Sequence, residues 1–93
     1  MSISRSAVGV YTVRIERSAE REMDRLPNDR FDQIAARIRA LAADPRPPGC
    51  RKIVGSRNDW RIRVGPYRVV YEIDDQAREV RVNRVRSRAQ VYR

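Results

Sequence analysis

The sequence predicts one α+β domain with the element order β-α-α-β-β-β, an optional extra strand at residues 51–54, and a helical hairpin packed on one face of an antiparallel sheet. Three observations support this class. Apolar residues recur at helical spacing in the first half of the chain. After a proline-rich loop at residues 44–49 they alternate with polar residues, as in half-buried strands. The 93 residues supply one core and no material for a second domain.

The first elements are a strand and a short helix. Residues 1–8 show no periodicity and are expected to be a flexible start. Residues 10–16 alternate well enough for a strand. Ser18 is expected to cap a helix that runs to about residue 26, because its hydroxyl can accept a free amide of the first turn. The apolar stripe of this helix is Ala19, Met23 and Leu26.

A second helix is expected from Asn28 to about residue 43. Pro27 disfavours continuation of the first helix, and Asn28 and Asp29 are suited to cap the next one. Its apolar residues recur at helical spacing: Phe31, Ile34, Ala35, Ile38, Leu41 and Ala42. The two helices should therefore form a hairpin with one apolar side.

Strands are predicted at residues 60–64, 67–73 and 79–85, joined by tight turns. Side chains of a strand alternate between its two faces. In the strands at residues 60–64 and 67–73, the predicted core residues therefore lie on one face and most of the polar residues on the other. The core set is Trp60, Ile62, Val64, Tyr67, Val69, Tyr71 and Ile73. Arg61, Arg63 and Arg68 should then share the open face of the sheet. Asp74 and Asp75 are interpreted as turn residues rather than metal ligands.

Charge points to a polyanionic partner. The chain carries 21 basic and 12 acidic residues, a net charge of +9, and Lys52 is its only lysine. Arginine binds phosphate with a planar fork of donors, although codon usage in a GC-rich genome would also favour arginine. Residues 51–93 hold 12 basic and 5 acidic residues, whereas residues 1–50 hold 9 and 7. The candidate partners are nucleic acid, a membrane surface or an acidic protein, and the site belongs to the second half.

Histidine is absent from the sequence, which removes the commonest general base and metal ligand. No metal or cofactor is therefore expected. Cys50 is the only cysteine and cannot form an internal disulfide. Together with the lack of a signal-peptide pattern or a membrane-length apolar run, this favours a cytoplasmic protein that does not enter membranes.

The string WRIRVGPYRVVYEIDD, preceded by KIVG and followed by VRSRAQVYR, resembles the RelE/ParE superfamily of bacterial toxins. The upstream strings SAEREMDRLP and LAADP fit the same layout, so the resemblance covers most of the chain. It implies the RelE-like microbial RNase fold and a role in a type II toxin–antitoxin system. RelE-like members cut messenger RNA in the ribosomal A site, whereas ParE-like members inhibit DNA gyrase without nuclease activity.

The resemblance also implies the site residues. The catalytic candidates are Arg61, Arg63, Arg68, Arg88 and Tyr92. Lys52, Arg81 and Arg86 are the further RNA-binding candidates. The chain departs from many relatives at Ser87, where they carry a histidine, and at Arg51-Lys52, where some carry a glutamate before the second strand. The C-terminal string RAQVY looks more like the nuclease branch.

Metal-independent cleavage attacks a phosphate with the neighbouring ribose 2′-hydroxyl. Arg68 is expected to stabilise the growing charge, Arg61 and Arg63 to hold the phosphate, and Arg88 to assist the leaving oxygen. Tyr92 is expected to stack on a base. The general base is not identified, and Lys52 and Tyr92 are its candidates because a guanidinium has no free lone pair near neutrality.

Two other functions remain open at this point: a ParE-like gyrase inhibitor, and a non-catalytic nucleic-acid-binding domain, which the absence of a helix-turn-helix or RNP signature argues against. The nuclease interpretation implies the ribosome and messenger RNA as partners. Either toxin interpretation implies an acidic, RelB-like antitoxin that wraps the protein with a helix and a strand in a hetero-oligomer.

Overall fold

The fold is described for residues 10–87 from a computed structural model, and the flexible start predicted for residues 1–8 lies outside this range. Seven elements follow one another along the chain. They are β1 (Thr12–Ile15), α1 (Arg17–Asp24), α2 (Asn28–Ala40), β2 (Arg51–Lys52), β3 (Asp59–Val64), β4 (Tyr67–Asp74) and β5 (Glu79–Ser87). The predicted order is confirmed, and the optional strand is present as the two-residue β2.

The five strands form one sheet in the order β1-β5-β4-β3-β2. Strands β2 to β5 pair antiparallel in sequence order, as predicted. Strand β1 instead lies beside β5 and runs parallel to it, with Thr12 opposite Glu79. The sheet is therefore mixed rather than wholly antiparallel. Alternation of apolar residues indicates the faces of a strand, but it carries no information about the strand's neighbour or direction.

The helical hairpin covers one face of the sheet. Ala19 and Met23 of α1 are buried, as are Ile34 and Ile38 of α2 and Leu41 just after it. The sheet contributes its own set of buried side chains. These are Ile62, Val64, Val69, Tyr71, Ile73, Val80, Val82 and Val85. Every apolar residue predicted to face the helices from β3 and β4 lies in this core or packs against it.

The predicted helix caps are wrong. Glu16 and Pro27 occupy the positions before α1 and α2, and neither makes a side-chain capping bond. The hydroxyl of Ser18 lies within the first turn and donates to the backbone oxygen of Asn83 at 2.8 Å. Tertiary contact with β5 thus replaces the local bond. Helix α2 also ends at Ala40, three residues earlier than expected, and continues as hydrogen-bonded turns.

An exposed polar cluster ties the loop after α2 to the β4–β5 turn. The Arg46 guanidinium donates to both carboxylate oxygens of Asp75, at 3.2 and 2.9 Å, and Tyr11 Oη donates to Asp75 Oδ1 at 2.6 Å. Arg46 also lies 5.0 Å from the centre of the Trp60 ring, a cation–π distance. Asp75 therefore has a structural role in the turn, and Trp60 is a residue of the core rim.

Beneath this cluster the buried Tyr71 Oη donates to the backbone oxygen of Pro45 at 2.8 Å. Burial raises the pKa of Tyr71 above its usual value, so the hydroxyl stays protonated and available as a donor. No helix in residues 10–87 is long and apolar enough to cross a membrane.

We expect Tyr71→Phe to lower the free energy of unfolding by about 1–3 kcal/mol, because the buried Pro45 carbonyl loses its donor. Chemical denaturation of the two proteins measures the difference. Tyr11→Phe is the matched control and should cost less, because the bond that it removes is exposed. Equal losses in the two variants would contradict the assignment of the Tyr71 bond as the more important one.

The Asp75 carboxylate predicts a pH dependence. The hydrogen bonds that it accepts lower its pKa from the usual value, and the bond from Arg46 has a larger effect than the bond from Tyr11. A lowered pKa in the folded state stabilises the fold above the unfolded pKa of about 3.9, and this contribution disappears as the pH falls through the folded pKa. The stability advantage of wild type over Asp75→Asn should therefore be constant above about pH 5 and shrink below about pH 4. Denaturation curves that show the same advantage at both ends of this range would refute the coupling.

Candidate nucleic-acid interface

The face of the sheet opposite the helices carries cationic side chains on three neighbouring strands. Arg61 of β3 pairs with Val70 of β4, which pairs with Arg84 of β5. One row further on, the partners are all arginines: Arg63, Arg68 and Arg86. Directly opposed residues lie about 5 Å apart, so the registers bring these guanidinium groups close together.

A β-bulge in β5 makes this arrangement compatible with the sequence. Val82 is opposite Tyr71 and Arg84 is opposite Val70, so Asn83 is an extra residue without a partner in β4. In a regular strand Arg81 and Arg84 would point to opposite faces because they are three residues apart. The extra residue resets the alternation, and Val82 and Val85 are both buried. Arg81 and Arg84 can therefore share the open face.

A cleft of ≈ 530 Å³ lies on this face between β2 and β5. Six of its nine lining residues are basic, and none is acidic. The basic residues are Arg51, Lys52, Arg61, Arg68, Arg84 and Arg86. The other three are apolar: Ile53, Val54 and Val70. A cleft of this size and charge concentrates field lines and suits a phosphate-bearing ligand.

Four of the predicted site residues meet in this cleft: Lys52, Arg61, Arg68 and Arg86. Arg63 lies at the β3–β4 turn instead, where it lines a smaller depression together with Gly65 and Arg68. Arg81 lies towards the other end of β5 and forms ion pairs with Glu72 at 3.5 Å and Glu79 at 3.4 Å. It is therefore held among carboxylates and apart from the cleft. Arg88 and Tyr92 lie outside the described residues.

Two cleft residues were missed at the level of sequence, Arg51 and Arg84. Arg51 pairs with Arg61 across β2 and β3, a register that no sequence signal specified. Arg84 was assigned no role, and strict alternation would place it on the same face as the buried Val80 and Val82. The spacing of the valines in V80-R-V-N-R-V85 was the available signal, since two residues separate Val82 from Val85.

A single carboxylate links the cleft to the helical layer. Beyond the end of β1 the edge of β5 is covered by α1, and Glu22 Oε1 accepts the backbone N–H of Val85 at 2.8 Å. Glu22 Oε2 accepts Nε of Arg86 at 3.0 Å and lies 3.8 Å from an Arg84 nitrogen. One side chain thus satisfies the strand edge and orients two guanidinium groups at the cleft wall.

The arrangement is suited to bind and polarise a phosphate. Forked donors from different strands converge on one space, and such donors stabilise charge that develops on phosphate oxygens. Within residues 10–87, no group of three or more histidine, cysteine, aspartate or glutamate side chains is arranged to hold a metal ion.

The chain matches a family model described as the ParE toxin of the type II toxin–antitoxin system parDE, over residues 13–92. This match spans most of the chain, including both helices, strands β2 to β5 and all of β1 except Thr12. A search of curated protein sequences finds no significant match.

Solved structures of RelE toxins have a similar fold. The RelBE2 toxin–antitoxin complex of Mycobacterium tuberculosis matches with a TM-score of 0.78 and 27% identity, over 88% of this chain and 95% of that one. The RelE–RelB complex of Pyrococcus horikoshii matches with a TM-score of 0.77 and 21% identity, over 87% of this chain and 98% of that one. The isolated RelE toxin of Escherichia coli matches with a TM-score of 0.73 and 24% identity, over 88% of this chain and 90% of that one.

We expect Glu22→Ala to lower the free energy of unfolding by about 1–3 kcal/mol, because the Val85 amide and the Arg86 guanidinium lose their acceptor. Glu22→Gln should cost less, since an amide oxygen can still accept the Val85 N–H. Glu20→Ala, at an exposed position on the same helix, is the control and should change stability by no more than about 0.5 kcal/mol. Denaturant titrations in which all three variants unfold alike would show that Glu22 contributes nothing at the strand edge.

Proposed function

The chain belongs to the ParE toxin family of type II toxin–antitoxin systems, within the RelE/ParE superfamily, and we propose that it is a ribosome-dependent endonuclease that cleaves messenger RNA in the A site. The superfamily holds nucleases and gyrase inhibitors on one scaffold, so the choice between them rests on the site. The proposed target places the protein in the cytoplasm.

The cationic cleft carries this proposal. Its six basic side chains come from four strand segments and no carboxylate lines it, which fits a backbone of closely spaced phosphates. A protein that acted only by docking on another protein would have no need to converge guanidinium groups on one cleft. Arg61 and Arg68 lie within the cleft, where they can contact a single phosphate from two neighbouring strands.

In the proposed reaction the ribose 2′-hydroxyl attacks the adjacent phosphorus, and the P–O5′ bond breaks. Arg68 stabilises the charge that accumulates on the phosphate oxygens, and Arg61 holds the phosphate together with Arg63 at the turn end of the site. A preorganised donor of this kind is worth about 3 kcal/mol, or roughly a hundredfold in rate. Arg84 and Arg86 bind the flanking phosphates, and Glu22 orients both of these arginines.

The remaining roles involve the end of the chain. Arg88, one residue beyond the described Ser87, is proposed to assist the leaving 5′-oxygen, and Tyr92 is proposed to stack on a base. Lys52 lines the cleft and is, with Tyr92, a candidate to accept the proton of the 2′-hydroxyl. Lysine gives up its proton more readily than arginine, which makes it the better suited of the basic cleft residues. The ribosome would supply the orientation that such a sparse site lacks.

The second candidate function is inhibition of DNA gyrase, and the match to a family model named after ParE favours it. This function needs the same scaffold but no catalytic arginine or tyrosine. The double variant Arg68→Ala and Tyr92→Phe separates the two proposals. If it still arrests growth and induces DNA damage, gyrase is the target and the nuclease proposal fails.

A toxin of this family has an antitoxin partner, and several of the similar solved structures are complexes of RelE with RelB. We propose that the antitoxin of this chain is acidic and RelB-like, because its charges would complement the cleft.

We expect the purified protein to cut messenger RNA on ribosomes and to cut free RNA poorly, because the ribosome orients the substrate. Expression without the antitoxin, followed by mapping of messenger RNA 5′ ends, should show cuts in phase with codons. Arg68→Ala should reduce cleavage about a hundredfold or more. Arg39→Ala, which removes an exposed arginine of α2 away from the cleft, is the control and should cut as wild type does. Efficient degradation of naked RNA with no gain from ribosomes would overturn the mechanism.

A further inference from the structure

The loop between β2 and β3 presents an apolar tip at the rim of the cationic cleft. Val54 is 99% exposed, the most exposed of the large hydrophobic residues among those described. A single exposed valine needs no explanation on most surfaces. This one lines the cleft together with its neighbour Ile53, so it offers apolar surface at the rim of the space that the arginines surround.

The tip is held in place by local hydrogen bonds. The Ile53 amide donates to the Asp59 backbone oxygen at 2.9 Å, and the Ser56 amide donates to the Ile53 backbone oxygen at 3.3 Å. The Asp59 amide in turn donates to Ser56 Oγ at 3.2 Å. Gly55 has a φ of +88°, which permits the reversal directly after Val54. These bonds fix the backbone on both sides of Val54 and so keep the apolar tip at the rim of the cleft.

A third apolar residue lies on the floor of the cleft. Val70 is half-buried on β4, and its cross-strand partners are Arg61 and Arg84. The cleft therefore combines an apolar wall and floor with a ring of cations. Phosphates account for the cations, but they gain nothing from valine and isoleucine. A nucleobase has an apolar face and is attached to a phosphate in every nucleotide, so it accounts for both parts of the cleft.

We propose that Ile53, Val54 and Val70 form a nucleobase subsite, which packs against the face of an unstacked base of single-stranded RNA while the arginines hold its phosphates. This inference rests on the proposed function and extends it from the backbone of the RNA to its bases. The contact is one of shape and apolar surface. It favours a nucleotide over any other polyanion and reads no donor or acceptor pattern.

The test compares two polymers that have the same phosphate spacing, a short uridine oligomer and an abasic ribose-phosphate oligomer of equal length. Val54→Ser in the full chain should weaken binding of the uridine oligomer about three- to tenfold and leave binding of the abasic oligomer unchanged. Val54→Phe should tighten binding of the uridine oligomer about threefold or more, because an aromatic ring stacks on a base. Fluorescence anisotropy at one salt concentration measures all affinities.

Two controls separate the inference from the proposed function. Val10→Ser changes an apolar residue that is 45% exposed outside the cleft, and both affinities should remain those of wild type. Arg61→Ala should weaken both polymers. If Arg61→Ala weakens both while Val54→Ser weakens neither, or weakens both equally, the subsite is refuted and the RNA-binding cleft stands. If Arg61→Ala has no effect on either polymer, the proposed function fails and the subsite fails with it.

Discussion

Burial of one face of the sheet under the two helices holds like charges together on the other face. Guanidinium groups that share a cleft repel one another, so the rest of the fold must supply the free energy that brings them together. Ile62, Val69 and Tyr71 alternate with Arg61, Arg68 and Val70 on paired strands and are almost completely buried. Each such side chain contributes about 1.5–3 kcal/mol when removed from water. The core therefore determines which face of each strand is cationic and how closely the cations approach.

The charges are also connected to the helical layer through the edge of β5. The bulge at Asn83 places its backbone oxygen within reach of Ser18, and Glu22 on the next turn of α1 accepts the Val85 amide. Because Glu22 also contacts Arg86, a change in the position of α1 would alter the cleft wall. Any ligand that displaces this helix would therefore affect the open face without touching it.

Much of the architecture could be predicted from the sequence because it depends on local periodicity. The two helices, the faces of β3 and β4 and the position of Arg61 and Arg68 all follow from spacing alone. The parallel pairing of β1 could not be predicted, since its partner β5 follows two helices and three further strands in the chain. Ser18 was misassigned because the helix begins one residue earlier, at Arg17, and the Ser18 hydroxyl donates to a backbone oxygen of β5. Arg84 was missed because one extra residue in β5 changes which side chains reach the open face. Arg81 was wrongly grouped with the cleft residues because its ion pairs with Glu72 and Glu79 depend on the strand register, which the sequence does not specify.

The shortness of β2 has a consequence for solubility. An edge strand with free backbone groups is a template on which a second copy can add, and long apolar edges lead to aggregation. Here the edge consists of two residues, Arg51 and Lys52, both exposed and both positively charged. Two copies approaching edge to edge would bring four positive charges together without a counterion. The same residues that line the cleft thus disfavour the addition of a second copy at this edge of the sheet.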